Sequence, residues 1–141
     1  MTEKSSSLLM NEDPDSLFEG GVIARIEAMA AANPQGDALY FMDQTLSYKE
    51  LDLKANRIAH GLAGLNVGSE SLVGLLFNRS PKLIEGLLGI LKAGAAYLPL
   101  DPAYPADRLL FMVQDSGASV ILTERQSADL IPDLNIPIIL I

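Results

Sequence analysis

The chain has 141 residues, a length typical of one domain, and 49% of them are hydrophobic, which is enough to bury a core. Its net charge of −8, with no basic stripe, argues against nucleic acid and anionic membranes as partners. The absence of cysteine excludes disulfides and thiolate metal sites. Since no secretion signal and no apolar run of about 20 residues is found, we expect a soluble, cytoplasmic protein.

The N-terminal third divides into an arm, a helix and a strand. Residues 1–15 are polar and acidic, and we interpret them as a flexible N-terminal arm. Apolar residues at helical spacing then predict a helix that begins at Ser16 and ends before Pro34. Residues 38–42 are typical of a short strand, and residues 43–44 predict the turn that follows it.

Ser47 and Glu50 form an S-x-x-E capping box. The Ser47 hydroxyl is expected to accept the N–H of Glu50, while the glutamate reaches back to residue 47. The helix that follows should end near Asn66 and Gly68, because both residues tolerate a left-handed backbone. Its apolar face is predicted to consist of Tyr48, Leu51, Ala55, Ile58, Ala59, Leu62 and Leu65.

Beyond this helix, strands and helices alternate. Residues 72–77 form a continuous apolar run, as expected of a strand covered on both faces. Ser80 is a predicted N-cap with Pro81 at the first helical position, and the helix over 81–93 is apolar almost all round, which predicts burial. Further elements are predicted at 97–99 (strand), 105–116 (helix), 119–123 (strand), 126–130 (short helix or turn) and 136–141 (strand). This βαβ rhythm predicts an α/β fold with a Rossmann-like parallel sheet, right-handed crossovers and flanking helices.

The last six residues are rich in isoleucine and leucine and end with the chain. A parallel strand in this position would have nothing after it to cover it. We therefore interpret this end as a cut through a longer domain.

Two glycine pairs, Gly61-x-x-Gly64 and Gly86-x-x-Gly89, are better explained by close helix packing than by phosphate binding. No G-x-x-x-x-G-K-[ST] and no G-x-G-x-x-G motif occurs in the chain. Lys92 is expected at a helix C-terminus, where a cation suits the helix dipole.

Candidate catalytic and metal-binding side chains are few. His60 is the only histidine and, without a cysteine, it cannot anchor a transition-metal site. Asp101 and Asp107 could form a carboxylate pair, but Asp107 at a helix N-terminus is already explained by the dipole. We therefore predict no catalytic, cofactor-binding or metal-binding residue in this chain.

Two motifs carry a family resemblance: Leu-Ser-Tyr-Lys-Glu-Leu at 46–51 and Leu-Lys-Ala-Gly-Ala-Ala-Tyr-Leu-Pro-Leu-Asp-Pro at 91–102. Between and around them stand further elements in fixed order: Leu-Phe-Glu (17–19), Ala-Asn-Arg-Ile-Ala (55–59), Arg-Ser-Pro (79–81), Arg108 and Asp-Ser-Gly-Ala (115–118). From about residue 16 to residue 125, this order resembles the adenylation domains of non-ribosomal peptide synthetases. These enzymes belong to the adenylate-forming, AMP-binding superfamily.

The resemblance implies that residues 16–141 are a truncated N-terminal portion of an adenylation domain. The complete enzyme from which this portion derives would use ATP and Mg to activate an amino acid as aminoacyl-AMP. It would then transfer the amino acid to a carrier-protein thiol. In that family the two motifs shape the N-terminal subdomain, and the ATP loop, amino-acid pocket and catalytic lysine come later. The resemblance thus implies no cofactor for this chain alone, which we expect to be inactive as a ligase. Its partners would be the rest of the domain and a carrier protein.

An alternative is a stand-alone truncated domain that acts as a non-catalytic binding module. Adenylation domains of this kind often bind a small MbtH-like protein. The resemblance implies a contact surface that includes Ala95, Ala96, Pro102, Tyr104 and Arg108. Small side chains beside a proline-stiffened loop leave a recess for an aromatic anchor. Tight packing before a strand explains Ala95 and Ala96 equally well.

Overall fold

In a computed structural model of the protein, the described residues are 21–131 and 134–141. The predicted arm over 1–15 and the predicted start of the first helix at Ser16 lie outside them. The elements are α1 Gly21–Ala32, β1 Asp37–Phe41, β2 Gln44–Ser47, α2 Tyr48–Gly64, β3 Leu72–Leu76, α3 Pro81–Lys92, β4 Ala96–Leu100, α4 Ala106–Ser116, β5 Val120–Thr123, α5 Arg125–Ala128 and β6 Ile138–Leu140.

Four strands form a parallel sheet in the order β4-β3-β5-β6. The chain passes from β3 through α3 to β4 on one side, and then returns through α4 to β5 on the other side of β3. The helical connections β3–β4 and β5–β6 join neighbouring parallel strands, and the connection from β4 to β5 crosses over β3. The predicted α/β fold with a parallel sheet is confirmed.

The sheet is covered on both faces. On one face, β3 and β5 pack against α2 and α3 through Leu75, Leu122 and Ile90. On the other face, Leu76 and Ile121 pack against α4. Neighbouring residues of one strand thus point to opposite faces, as the two-residue period requires, and both faces are apolar.

The β1–β2 hairpin lies outside this sheet, and its turn differs from the prediction. Phe41 pairs with Gln44, so the turn residues are Met42 and Asp43 rather than 43–44. Met42 has a φ of 51°, in the left-handed region. Two-residue hairpin turns need such a backbone, which asparagine or glycine usually supplies. Methionine carries no such signal, and the turn was therefore predicted one residue late.

The capping box at the start of α2 is confirmed in part. The Ser47 hydroxyl oxygen accepts the N–H of Glu50 at 3.1 Å. The hydroxyl in turn donates to the Glu50 carboxylate at 3.2 Å, so the glutamate binds the side chain of Ser47. Of the predicted apolar face, Leu51, Ala55, Ile58 and Leu62 are buried. Leu65 follows the last helical turn and is exposed, which the helical period did not predict.

The glycine pairs have different environments. A Cβ on Gly89 would clash with the side chain of Ile58, and one on Gly86 would lie 3.0 Å from the side chains of Leu75 and Leu122. These glycines let α3 approach α2 and the sheet closely. Apart from the adjoining residues and the backbone of the same helix, no described atom lies within 4 Å of a Cβ on Gly61 or Gly64. The close-packing prediction is confirmed for the second pair and is wrong for the first, whose positions face solvent.

Lys92 joins three helices at the end of α3. Its ammonium lies 2.7 Å from an Asp52 oxygen on α2 and 2.9 Å from a Glu27 oxygen on α1, and its side chain is only 6% exposed. Burial lowers the pKa of Lys92, but the hydrogen bonds and charges of Asp52 and Glu27 together raise it by more than burial lowers it. The pKa therefore lies above its ordinary value of 10.5. Lys92 thus does more than complement the helix dipole.

Replacing Lys92 with methionine should lower the free energy of unfolding at pH 7 by about 1–3 kcal/mol. Most of this loss comes from Asp52, which is left without its cation, because Glu27 is half exposed and remains solvated. Because the pKa of Lys92 is higher in the folded state, its contribution to stability is fully present below the unfolded pKa of about 10.4. That contribution is lost as the pH rises through the folded pKa. The difference between the two proteins in urea titrations should therefore shrink above about pH 10.5. A difference that is constant with pH would contradict this role.

Candidate functional site at the carboxyl edge of the sheet

The strand order creates a topological switch point between β3 and β5. The connection after β3 leads to β4 on one side, whereas β5 is followed by β6 on the other. In open parallel sheets, ligands bind outside the carboxyl ends of the strands at such a point. The hydroxyl of Thr123, at the end of β5, donates to the carbonyl of Leu76, at the end of β3, at 2.6 Å. This hydrogen bond holds the two strand ends together below the candidate site.

A cleft of about 560 Å³ opens at this edge. Its walls are the β1–β2 hairpin, the middle of α2, the start of α3 and the residue after β5. We call it the edge cleft and define it by the polar side chains Lys54, Ser80, Lys82, Glu85 and Glu124. The hairpin adds an apolar wall that includes Phe41 and Leu46.

Two carboxylates in the edge cleft are almost fully buried. Glu85 is 7% exposed and Glu124 is 6% exposed. The nearest cation to Glu85 is Lys54, whose Nζ lies 3.7 Å from Oε1. Glu124 accepts a hydrogen bond from the Gln126 amide at 3.0 Å. Both acids thus face the cleft with few donors around them.

The start of α3 supplies a further polar group. Ser80 occupies the predicted N-cap position, with Pro81 at the first helical position. Its hydroxyl makes no cap hydrogen bond, however, and its oxygen is buried without a partner in the described part of the chain. The predicted cap is therefore confirmed in position but not in bonding. The neighbouring Lys82 donates to the carbonyl of Ile141 at 3.1 Å.

The edge-cleft acids were not singled out from the sequence, although each had a signal. Glu85 is the only charged residue between Leu83 and Leu91, in an otherwise apolar helix. Glu124 directly follows an apolar strand, where parallel sheets place their site residues. The predicted burial of α3 agrees with the structure, in which Gly86, Leu88, Gly89 and Ile90 are buried and Leu87 is half-buried, but Glu85 is buried with them.

The predicted partner surface is split by β4. Pro102 and Tyr104 line a second cleft of about 460 Å³ beyond the carboxyl end of β4. The Arg108 guanidinium lies 4.0 Å from the centre of the Tyr104 ring, a cation–π contact. Ala95 and Ala96 lie at the other end of the strand, whose five residues span about 13 Å. Ala95 is 6% exposed, whereas Ala96 is exposed.

The other candidates from the sequence are not brought together. His60 is exposed on α2, and the carboxylates of Asp101 and Asp107 each accept a nearby backbone N–H. Within residues 21–131 and 134–141, no group of three or more histidine, cysteine, aspartate or glutamate side chains could hold a metal ion. None of the described helices is long and apolar enough to cross a membrane.

Residues 26–138 match the family described as AMP-binding enzyme. The chain belongs to this family. Among its relatives is gramicidin S synthase 2 of Aneurinibacillus migulanus, which is 46% identical over 107 residues, or 76% of this chain and 2% of that protein. The dimodular nonribosomal peptide synthase of Bacillus subtilis (strain 168) is 46% identical over 114 residues, or 80% of this chain and 5% of that protein.

Solved structures of nonribosomal peptide synthetases have the same fold over most of this chain. A crystal structure of the nonribosomal peptide synthetase FmoA3 has a TM-score of 0.79 and 30% identity, covering 83% of this chain and 13% of that chain. NpsA-ThdA of Klebsiella oxytoca, an artificially fused adenylation–PCP di-domain, has a TM-score of 0.75 at 20% identity, which shows the fold alone. This chain corresponds to the N-terminal part of an adenylation domain and spans a small fraction of these relatives.

Proposed function

We propose that this chain is the N-terminal structural part of a peptide-synthetase adenylation domain. The whole protein would activate an amino acid with ATP and Mg as aminoacyl-AMP and transfer it to a carrier-protein thiol. The observation that carries the proposal is the match of residues 26–138 to the AMP-binding family. FmoA3 structures in an AMPPNP-bound form and in an α-methyl-L-serine-AMP-bound form support it, since that protein binds both molecules.

The edge cleft is not suited to a triphosphate. The edge cleft presents two nearly buried carboxylates, Glu85 and Glu124, which would repel a triphosphate. No cluster of acidic ligands for a metal occurs among the described residues. The role of this chain in the proposed reaction is therefore to supply the sheet and helices on which the rest of the domain is built.

The purified 141-residue chain is expected to show no amino-acid-dependent ATP–pyrophosphate exchange. Adenylate formation needs donors and cations arranged to stabilise the charge that develops on phosphate, and the sequence contains neither of the glycine-rich phosphate-binding motifs. The measurement is exchange of radiolabelled pyrophosphate into ATP with a mixture of the protein amino acids. Exchange clearly above a no-enzyme blank would contradict the prediction that the chain is inactive.

A second candidate function is that of a non-catalytic module that binds an MbtH-like protein. The observation in its favour is the exposure of Ala96 on the edge strand β4, beside Tyr97, which is 43% exposed. Ala95 faces the core instead. A partner at this end of β4 would contact Ala96 and Tyr97, and Pro102, Tyr104 and Arg108 would form a separate contact.

The tryptophan variants of the two alanines separate binding from folding. Ala96→Trp should leave the unfolding midpoint nearly unchanged and weaken binding of a cognate MbtH-like protein by well over about 1 kcal/mol. Ala95→Trp should destabilise the fold by about 1–3 kcal/mol, because its site is packed. Calorimetry with the partner and urea titrations measure the two effects. If the unmodified chain does not bind, the binding-module function is wrong.

A further inference from the structure

We propose that the edge cleft binds a guanidinium or ammonium group between the carboxylates of Glu85 and Glu124. The bound group would be a cation rich in N–H donors, carried on an alkyl chain. This site goes beyond the proposed role in adenylation and does not depend on it.

The acceptors of the edge cleft have few donors among the described residues. No described residue donates a hydrogen bond to the Glu85 carboxylate, although Glu85 is more than nine-tenths buried. The Ser80 hydroxyl oxygen is out of contact with solvent and has no described partner. Glu124 accepts one side-chain hydrogen bond, from Gln126. Buried polar groups are normally hydrogen-bonded, so the unpartnered Ser80 hydroxyl and the acceptor positions left open on the two carboxylates favour a donor-rich ligand at this site.

Neither lysine of the edge cleft supplies the missing hydrogen bonds. The 3.7 Å between Lys54 Nζ and Glu85 is longer than a charge-assisted hydrogen bond, and the Lys54 side chain is 46% exposed. The Lys82 ammonium instead donates to the Ile141 carbonyl. The lysines reduce the negative charge of the cleft but leave its acceptors open.

The size and lining of the edge cleft suit a small cation on an alkyl chain. A volume of about 560 Å³ lies in the range of small-molecule sites. Phe41, Leu46 and Pro81 offer apolar surface against which an alkyl stem can pack. A guanidinium carries five N–H donors in one plane and can serve two carboxylates and a hydroxyl at once. An alkylguanidine, either free or as an arginine side chain of a polypeptide, combines these features.

The test is titration of the 141-residue chain with two probes, and binding is measured by calorimetry and by the NMR shifts of backbone amides. Agmatine represents a free alkylguanidine, and N-acetyl-arginine methylamide represents an arginine of a polypeptide. Shifts around Ser80, Glu85 and Glu124 on addition of either probe are expected. Binding of agmatine supports a free ligand, and binding of the peptide mimic alone supports a polypeptide segment.

Three substitutions test the residues. Glu85→Gln and Glu124→Gln should each weaken binding at least about tenfold, because each removes a charge-assisted acceptor. The matched control Glu70→Gln, at an exposed loop position away from the cleft, should leave binding unchanged. Unchanged affinity in both cleft variants, or no binding of either probe at millimolar concentration, would overturn the proposal.

Lys54→Met gives an independent readout that a purely structural role of Glu85 would not produce. With its neighbouring cation removed, Glu85 should bind the probe more tightly, by severalfold. A structural ion pair predicts only lower stability, with no gain in affinity. Equal or weaker binding by a folded Lys54→Met variant would therefore also count against the site.

Discussion

Replacing Leu88 with alanine is expected to lower the free energy of unfolding by about 2–5 kcal/mol. Leu88 is 5% exposed and packs with Leu51 and Ala55, where α3 meets α2. Ile23 and Ile26 of α1 cover the same cluster. Truncating the leucine side chain there leaves a cavity that three helices would have to collapse to fill.

The measurement is urea-induced unfolding, with Leu53→Ala as the matched control. Leu53 lies on α2 but is 47% exposed, so its truncation should change stability by no more than about 0.5 kcal/mol. Leu87 is half-buried against the neighbouring cluster, and its truncation should have an effect between the two. A Leu88→Ala variant within about 0.5 kcal/mol of the unmodified chain would contradict the packing described here.

Gly89→Ala and Gly61→Ala are expected to change stability in opposite directions. Both glycines lie inside helices, where alanine is favoured by about 1 kcal/mol. At Gly61 nothing opposes that gain, because the added methyl group meets no described atom within 4 Å outside the adjoining residues and its own helix backbone. At Gly89 the methyl group would clash with the Ile58 side chain and lie 3.2 Å from the carbonyl oxygen of Ala55. We expect a net loss of about 1–3 kcal/mol there.

The cause of the loss at Gly89 can be checked by relieving the contact. Combining Gly89→Ala with Ile58→Ala removes the side chain that the new methyl group would meet. The two changes should then be less costly together than the sum of the single changes, as expected for residues in contact. Simple additivity, or a stabilising Gly89→Ala, would show that α2 and α3 are not packed this closely.

The parallel sheet could be predicted from the sequence because its strands are buried on both faces. The run over 72–77 is apolar without alternation, a pattern typical of a strand covered by helices on both sides. The cap at Ser47 and the left-handed residue Gly117 after α4 are local signals, and both lie where the sequence predicts a helix boundary. Local sequence signals were sufficient to predict these elements.

The candidate site could not be predicted in the same way, because it depends on distances between elements. Nothing in the spacing of Glu85 and Glu124 along the chain indicates that they line one cleft. Lys92 likewise meets Glu27, 65 residues earlier, only after three helices have packed. Conversely, Ala96 and Pro102 are close in sequence, but an intervening strand separates them. The residues predicted to form one partner surface thus lie at the two ends of β4.

The central claim is that these residues form the structural N-terminal part of an adenylation domain. Its most direct test is a chimera in which residues 26–138 replace the matching segment of the related dimodular nonribosomal peptide synthase of Bacillus subtilis. The measurement is amino-acid-dependent ATP–pyrophosphate exchange by the purified chimera, compared with the unmodified synthase and with a version that lacks the segment. We predict exchange with the amino-acid preference of the synthase, and none without the segment. A chimera that is folded but shows no exchange would contradict the claim.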